Sequence, residues 1–216
     1  MKKSFLFVVD DDESVLDALE FMLQGEGYEP LCFSSAEAFL DFIQKQSGVL
    51  QGCLVLDSRM PGMSGQELQV ILQQNHKTLG IIFITGHGDV PMAVDALKLG
   101  AVDFLQKPIY RESLLSAVEA ALSYSKKQIY QKNHIEKYQK LTQRERDILA
   151  LLANGKNNLE VSNILHISPR TVEVHKASTL RHLDVTTLAE MIKIYIQIEP
   201  FIATIPPPPM RIRRKK

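Results

Sequence analysis

A chain of 216 residues with 45% hydrophobic and 23% charged side chains has the composition of a soluble globular protein and the length for two modest domains. Its net charge of zero is a sum of opposites: residues 1–120 carry 8 Lys and Arg against 17 Asp and Glu, and residues 121–216 carry 17 against 8. No stretch reaches membrane-spanning length, and the apolar run after Lys2 and Lys3 is too short for a signal peptide, so a cytoplasmic protein without a membrane partner is expected.

The run 5–9 (FLFVV) predicts a strand that ends at Asp10, Asp11, Asp12 and Glu13, charges a buried strand cannot hold. From Ser14, the expected N-cap, apolar residues recur at helical spacing through Leu23, and Gly25 and Gly27 end the helix. The rhythm then repeats. Strands are predicted at 30–33, 53–56, 81–85 and 102–105, and helices at 36–44, 66–74, 92–99 and 112 to about 123. Five strands alternating with five helices predict an α/β fold, a doubly wound five-stranded parallel sheet of flavodoxin-like type, with its functional edge at the carboxyl ends of the strands. Cys32 and Cys53, far apart among apolar residues, read as reduced thiols.

Residues 54–65 (LVLDSRMPGMSG) set Asp57 where a strand stops and Pro61, Gly62 and Gly65 force a tight loop. The acid cluster after the first strand, Asp57 after the third, Thr85 after the fourth and Lys107 after the fifth all fall on one edge. Taken singly, an acid run reads as a solvated loop and an Asp before a turn as a turn former; together they read as a site. Carboxylates gathered at one edge repel unless a cation joins them, and oxygen ligands without His or Cys suit Mg²⁺.

The segments VVDDDESV, LDSRMPGMSG, ITGHGDVPMAV and GAVDFLQKP resemble the receiver domain of bacterial two-component response regulators, and look most like its FixJ branch. The resemblance implies that Asp57 is the phosphoacceptor. It further implies that Asp11 and Asp57 ligate Mg²⁺ with the backbone carbonyl of Arg59, and that Asp10 acts through the outer shell, with Asp12 as the alternative member of the acidic pair. Lys107 is then a point charge on the phosphoryl oxygens, and Thr85 donates its hydroxyl to them. Phe104 matches the switch aromatic, the alternative being plain strand core. The Lys107–Pro108 bond is a candidate for the cis form. A haloacid-dehalogenase-like phosphatase is disfavoured, because Ser58 and Arg59 follow Asp57 where such chemistry needs Asp-x-Asp.

Residues 123–140 are polar and basic with neither Gly nor Pro and predict a linker helix. From Leu141 the pattern becomes all-helical. Thr142 caps a helix ending near Asn154-Gly155, a second helix spans about 158–166, Ser168 and Pro169 open a third that runs to about Leu183, and a fourth spans 187–197. The second and third helices about a short turn describe a helix-turn-helix. LTQRERDILALLANGKNN and ISPRTVEVHKASTLRHL resemble the LuxR/NarL-type DNA-binding domain, with two departures: Leu159 stands where the family usually has Lys, and Asp184 where it usually has Gly. The resemblance places Arg170, Thr171, Glu173, Val174 and Lys176 in or beside the major groove, with Arg170, Lys176 and Arg181 as phosphate contacts and His175 as a further DNA-binding residue. For Glu173 plain solvation is the alternative.

The expected organisation is a receiver over 1–123, a linker helix over 124–136, a LuxR-type helix-turn-helix domain over 137–200 and a Pro-rich basic tail over 201–216. The expected function is a DNA-binding, non-enzymatic response regulator. A sensor histidine kinase phosphorylates Asp57, and the protein then dimerises and regulates transcription at promoter double-stranded DNA, with RNA polymerase as a further candidate partner. The alternative is a phosphorelay protein whose second half docks to protein; salt dependence separates the two, since only DNA binding weakens through counterion competition.

Overall fold

Alternating apolar runs and polar breaks fold, in the computed structural model, into two units that divide between Ile129 and Tyr130; residues 4–46, 48–75, 78–86 and 90–208 are described. In the first unit β1 (Phe5–Val9), β2 (Pro30–Phe33), β3 (Gly52–Asp57), β4 (Leu79–Thr85) and β5 (Asp103–Gln106) form one sheet in the order β2-β1-β3-β4-β5, with every pairing parallel. The crossovers are α1 (Glu13–Gln24), α2 (Ala36–Gln44), α3 (Gly65–Asn75) and α4 (Val90–Lys98), and α5 (Arg111–Gln139) follows the last strand.

Side chains alternate across each strand, so the sheet has two apolar faces and needs helices on both. Phe7, Leu54, Leu56 and Phe83 pack with Phe39, Ile43, Leu68 and Leu72 on one side. Val8, Val55, Ile82 and Ile84 pack with Leu16, Leu19, Leu114 and Val118 on the other. Every residue of β3 and β4 is buried, and each large apolar side chain so enclosed contributes roughly 1.5–3 kcal/mol before the entropy of ordering is counted.

Several boundaries in the first unit differ from the sequence-based expectation. The N-cap of α1 is Asp12 rather than Ser14: the Asp12 carboxylate accepts the Ser14 N–H at 2.9 Å and its hydroxyl as well. β3 ends on Asp57 itself and begins at Gly52, whose N–H donates to Ser125 Oγ on α5 at 2.9 Å. The helix expected to end near residue 123 and the linker helix are one continuous helix of 29 residues, since nothing in that stretch breaks it.

The second unit holds the last turns of α5 and α6 (Gln143–Ala153), α7 (Asn158–Leu165), α8 (Pro169–Leu183) and α9 (Leu188–Ile202). Tyr138, Leu141, Ile148, Leu149, Val161, Val172, Leu183, Met191 and Ile198 form its core. Thr142 and Glu145 make the expected capping box, and Asn157 with Glu160 and Thr187 with Glu190 make two more. Asp184, in place of the usual Gly, ends α8 in the left-handed region at φ 58°, ψ 51°. α9 continues beyond residue 197 to Ile202, because Ile198 and Ile202 prolong its apolar stripe. No helix among the described residues is long and apolar enough to cross a membrane. Residues 87–89 of the ITGHGDVPMAV segment and the basic end of the tail, from 209 onward, lie outside the described residues.

Candidate functional site

The strand order reverses between β1 and β3, and at such a switch point the loops diverge and leave a crevice at the carboxyl edge. Asp10 immediately follows β1 and is 0% exposed; Asp57 is the last residue of β3 and is 5% exposed. Lys107, just past β5, reaches both: its Nζ donates to Asp10 Oδ2 and to Asp57 Oδ1 at 2.8 Å each. The other Asp57 oxygen, Oδ2, accepts the Arg59 N–H at 2.7 Å, and Asp10 Oδ1 accepts the Asp12 N–H at 2.9 Å. Thr85 closes β4 and is buried, and its carbonyl accepts the Lys107 N–H at 2.7 Å. Four residues expected at one edge are therefore brought together there. The Lys107–Pro108 bond is cis.

Burial, reinforced by the Asp57 charge, raises the Asp10 pKa above the usual carboxylate value even though Lys107 and the Asp12 N–H favour its ionised form. Burial also works against the Lys107 ammonium, but its hydrogen bonds to Asp10 and Asp57 outweigh that cost and raise its pKa. Two buried carboxylates thus share a single ammonium. A hard divalent cation fits such a place, and the donors available are oxygens only.

Asp11 is exposed beside the site. Among the described residues, no three His, Cys, Asp or Glu side chains converge as a metal-holding group, so a cation here would rest on a carboxylate pair and the loop backbone. Asp12 is not a second member of the buried pair, because it is exposed and its carboxylate caps α1. Phe104 pairs in register with Phe83 and is half-buried against the same apolar layer. On α4, Val94 and Leu97 are exposed and Met92 is half-buried, whereas Val102 packs on the opposite core.

The loop after Asp57 is held in several places. A Cβ on Gly65 would lie 2.2 Å from the Asp57 carbonyl oxygen, so α3 can begin this close to the acid only with glycine. Gly62 adopts φ +76°. Ser64 donates its N–H to Glu67 at 2.9 Å, and the Met63 N–H donates to Glu37 Oε1 on α2 at 2.9 Å. Glu37 was not among the residues the sequence singled out.

In the second unit, Ser168 caps α8 by accepting the Thr171 N–H at 3.1 Å, and Pro169 occupies the first turn. Val172, Thr179 and Leu183 face the core. Arg170, Glu173, Val174 and Arg181 are exposed, while Thr171, His175 and Lys176 are half-buried. Val174 stands 61% exposed, an apolar side chain open to a partner. The Thr171 hydroxyl is engaged with Ser168 Oγ at 2.8 Å, which ties it to the cap. Leu159, the departure on α7, is 62% exposed and offers no charge to a phosphate. His182 serves the fold: its Nδ1 lies 3.2 Å from Oε1 of buried Glu145. Burial acts to raise the Glu145 pKa, but hydrogen bonds from Ser178 and Thr142 outweigh it and the value is lowered.

Comparisons with known proteins agree with this division. The family model described as the response regulator receiver domain matches residues 6–119, and that of the bacterial regulatory proteins, luxR family, matches residues 139–195. The chain is 42% identical over 193 residues to the transcriptional regulatory protein FixJ of Azorhizobium caulinodans, spanning 87% of this chain and 89% of that protein. It is 40% identical over 188 residues to the tetrathionate response regulatory protein TtrR of Salmonella typhimurium, spanning 87% and 90%. Among solved structures, the response regulator StyR aligns with a TM-score of 0.65 at 38% identity, covering 90% of this chain and 99% of that one. Full-length FixJ from B. japonicum aligns with a TM-score of 0.55 at 34% identity, covering 93% and 99%.

Proposed function

Because the chain belongs to the two-component response regulators that join a receiver domain to a LuxR-type DNA-binding domain, we propose that Asp57 accepts the phosphoryl group and that this event governs binding of the second unit to promoter DNA. The observation that carries the reading is Lys107 set 2.8 Å from both Asp10 and Asp57 at the carboxyl edge of the sheet. In the transfer, an Asp57 carboxylate oxygen forms the new O–P bond as the P–N bond of the kinase phosphohistidine breaks and the imidazole leaves. Lys107 faces the charge that develops on the phosphoryl oxygens, and Thr85 offers its hydroxyl to the same oxygens. Asp11, Asp57 and the Arg59 carbonyl are the groups that would hold Mg²⁺, with Asp10 behind them. Bound there, Mg²⁺ supplies electrostatic neutralisation of the transferring group.

In the second unit Arg170, Glu173, Val174 and Lys176 address the groove, Arg170, Lys176 and Arg181 meet phosphate, and Thr171 and His175 flank them. The domain limits follow as a receiver over 1–123, a linker over 124–136, a DNA-binding domain over 137–200 and a tail over 201–216. Exposed Val94 and Leu97 on α4 support a homodimer formed through that face on phosphorylation, with Phe104 following Thr85 inward. The protein acts in the cytoplasm as a non-enzymatic regulator, with RNA polymerase as a further partner. The test is Mg²⁺-dependent labelling by a small acyl phosphate. The wild type takes up one phosphoryl group and Asp57→Asn takes up none; normal labelling of the variant would refute the assignment.

A further inference from the structure

The loop that carries the expected metal-binding carbonyl of Arg59 leaves β3 at Asp57 and re-enters regular structure at Gly65, the start of α3. Most of its ties are local: Arg59 N–H to Asp57, Gly65 N–H to the Ser58 carbonyl, and Ser64 to Glu67 on the helix the loop itself begins. Such bonds fix the shape of the loop but not its position against the rest of the sheet edge. Other ties come from elsewhere in the chain: at the start of the loop the Ser58 N–H donates to the Ile84 carbonyl of β4 at 3.0 Å, and a further bond reaches its far end. Glu37, in the first turn of α2, accepts the Met63 N–H through Oε1 at 2.9 Å, across 26 residues of sequence.

The approach depends on Gly62. A Cβ there would lie 2.8 Å from Glu37 Oε1, and the residue sits at φ +76°. Pro61 and Gly62 thus form a turn that both points the Met63 amide at α2 and leaves the space the carboxylate occupies. α2 is in turn fixed to the sheet by Phe39 and Ile43, which are fully buried. A rigid helix, a charged acceptor and a backbone amide make a short mechanical path from the core to the loop, and charge-assisted bonds of this kind are stronger than neutral ones.

We infer that Glu37 is a positioning residue of the phosphoacceptor site: it anchors the 58–64 loop to α2 and so presets the Arg59 carbonyl for the divalent cation. The inference rests on the phosphoacceptor reading of Asp57 and adds to it a residue that touches neither phosphate nor metal. Hydrogen-bond partners of metal ligands tune affinity by about tenfold or more when removed, and Glu37 acts on the Arg59 carbonyl through the loop backbone from Met63.

The experiment titrates the full chain with MgCl₂ by calorimetry, alongside labelling by an acyl phosphate at limiting and saturating Mg²⁺. Glu37→Ala is expected to weaken Mg²⁺ binding about tenfold and to slow labelling at limiting Mg²⁺, with the rate at saturating Mg²⁺ within about twofold of wild type. Glu37→Gln keeps an acceptor oxygen and is expected to bind Mg²⁺ within about threefold of wild type, a rescue that loss of charge alone does not give. Wild-type Mg²⁺ affinity in Glu37→Ala overturns the inference, and so does a Glu37→Gln chain as impaired as Glu37→Ala. In both of those cases labelling at Asp57 survives. If instead Asp57→Asn retains wild-type Mg²⁺ binding and labelling, the underlying reading fails and the inference falls with it.

Discussion

Burying Asp10 next to Asp57 costs the first unit stability, and Lys107 offsets only part of that cost. The sign follows from the direction of the Asp10 shift: burial raises its folded pKa above the usual carboxylate value, so the folded state binds its proton more tightly than the unfolded chain does. Protonation therefore favours the fold, and that advantage is lost as pH rises through the folded pKa. Asp10→Asn removes the buried charge while leaving an amide to hydrogen-bond, so it is expected to stabilise the first unit at pH 7 by about 1 kcal/mol. The gain shrinks as pH falls and the wild-type carboxyl takes up its proton; thermal unfolding of both chains at pH 7 and at acidic pH measures it. The positions of Asp57, Thr85 and Lys107 are legible in sequence because each sits where an apolar run is cut by polar or loop-forming residues. Asp12 and Ser14 are both good caps, and only the geometry of the first turn ranks them. Glu37 is invisible to sequence reading for a different reason: its partner is a backbone amide brought to it by the packing of α2 against the sheet.

Helix ends decide much of the second unit, where α8 must be held firmly to present its first turns. At its far end Lys137, from the last turn of α5, donates to the Leu183 carbonyl at 3.2 Å and lies 3.2 Å from the Asp184 carboxylate. A cation there satisfies a carbonyl that the helix leaves open and complements the dipole. It also helps Asp184 hold a left-handed conformation that costs less with glycine. Lys137→Met keeps most of the stem and removes the ammonium, and is expected to destabilise the second unit by about 1 kcal/mol. Asp184→Asn, which drops only an exposed charge, is expected to cost less than about 0.5 kcal/mol. Chemical denaturation followed by circular dichroism checks both. The sequence reveals α6 and α8 through their caps, and Asp184 as a tolerated stand-in for glycine. It does not reveal that α5 runs unbroken for 29 residues, because a polar helical stretch carries no mark of where one packing environment ends and the next begins.

At the scale of the whole molecule, the acidic half and the basic half divide the labour that the family membership describes. On the proposed reading the buried carboxylates take the phosphoryl group, and the second half of the sequence, with 17 Lys and Arg against 8 Asp and Glu over residues 121–216, meets the DNA polyanion. Joining the two requires that phosphorylation change a population, and pairing two recognition helices in a dimer raises DNA affinity through effective concentration without a new base contact. The most direct test is fluorescence anisotropy of a labelled promoter duplex titrated with the full chain, with and without Mg²⁺ and an acyl phosphate, for wild type and Asp57→Asn. The account predicts that the phosphodonor tightens binding by about tenfold or more for the wild type and leaves Asp57→Asn unchanged. Equal affinity of the wild type in both states, or an equal gain in Asp57→Asn, would contradict it.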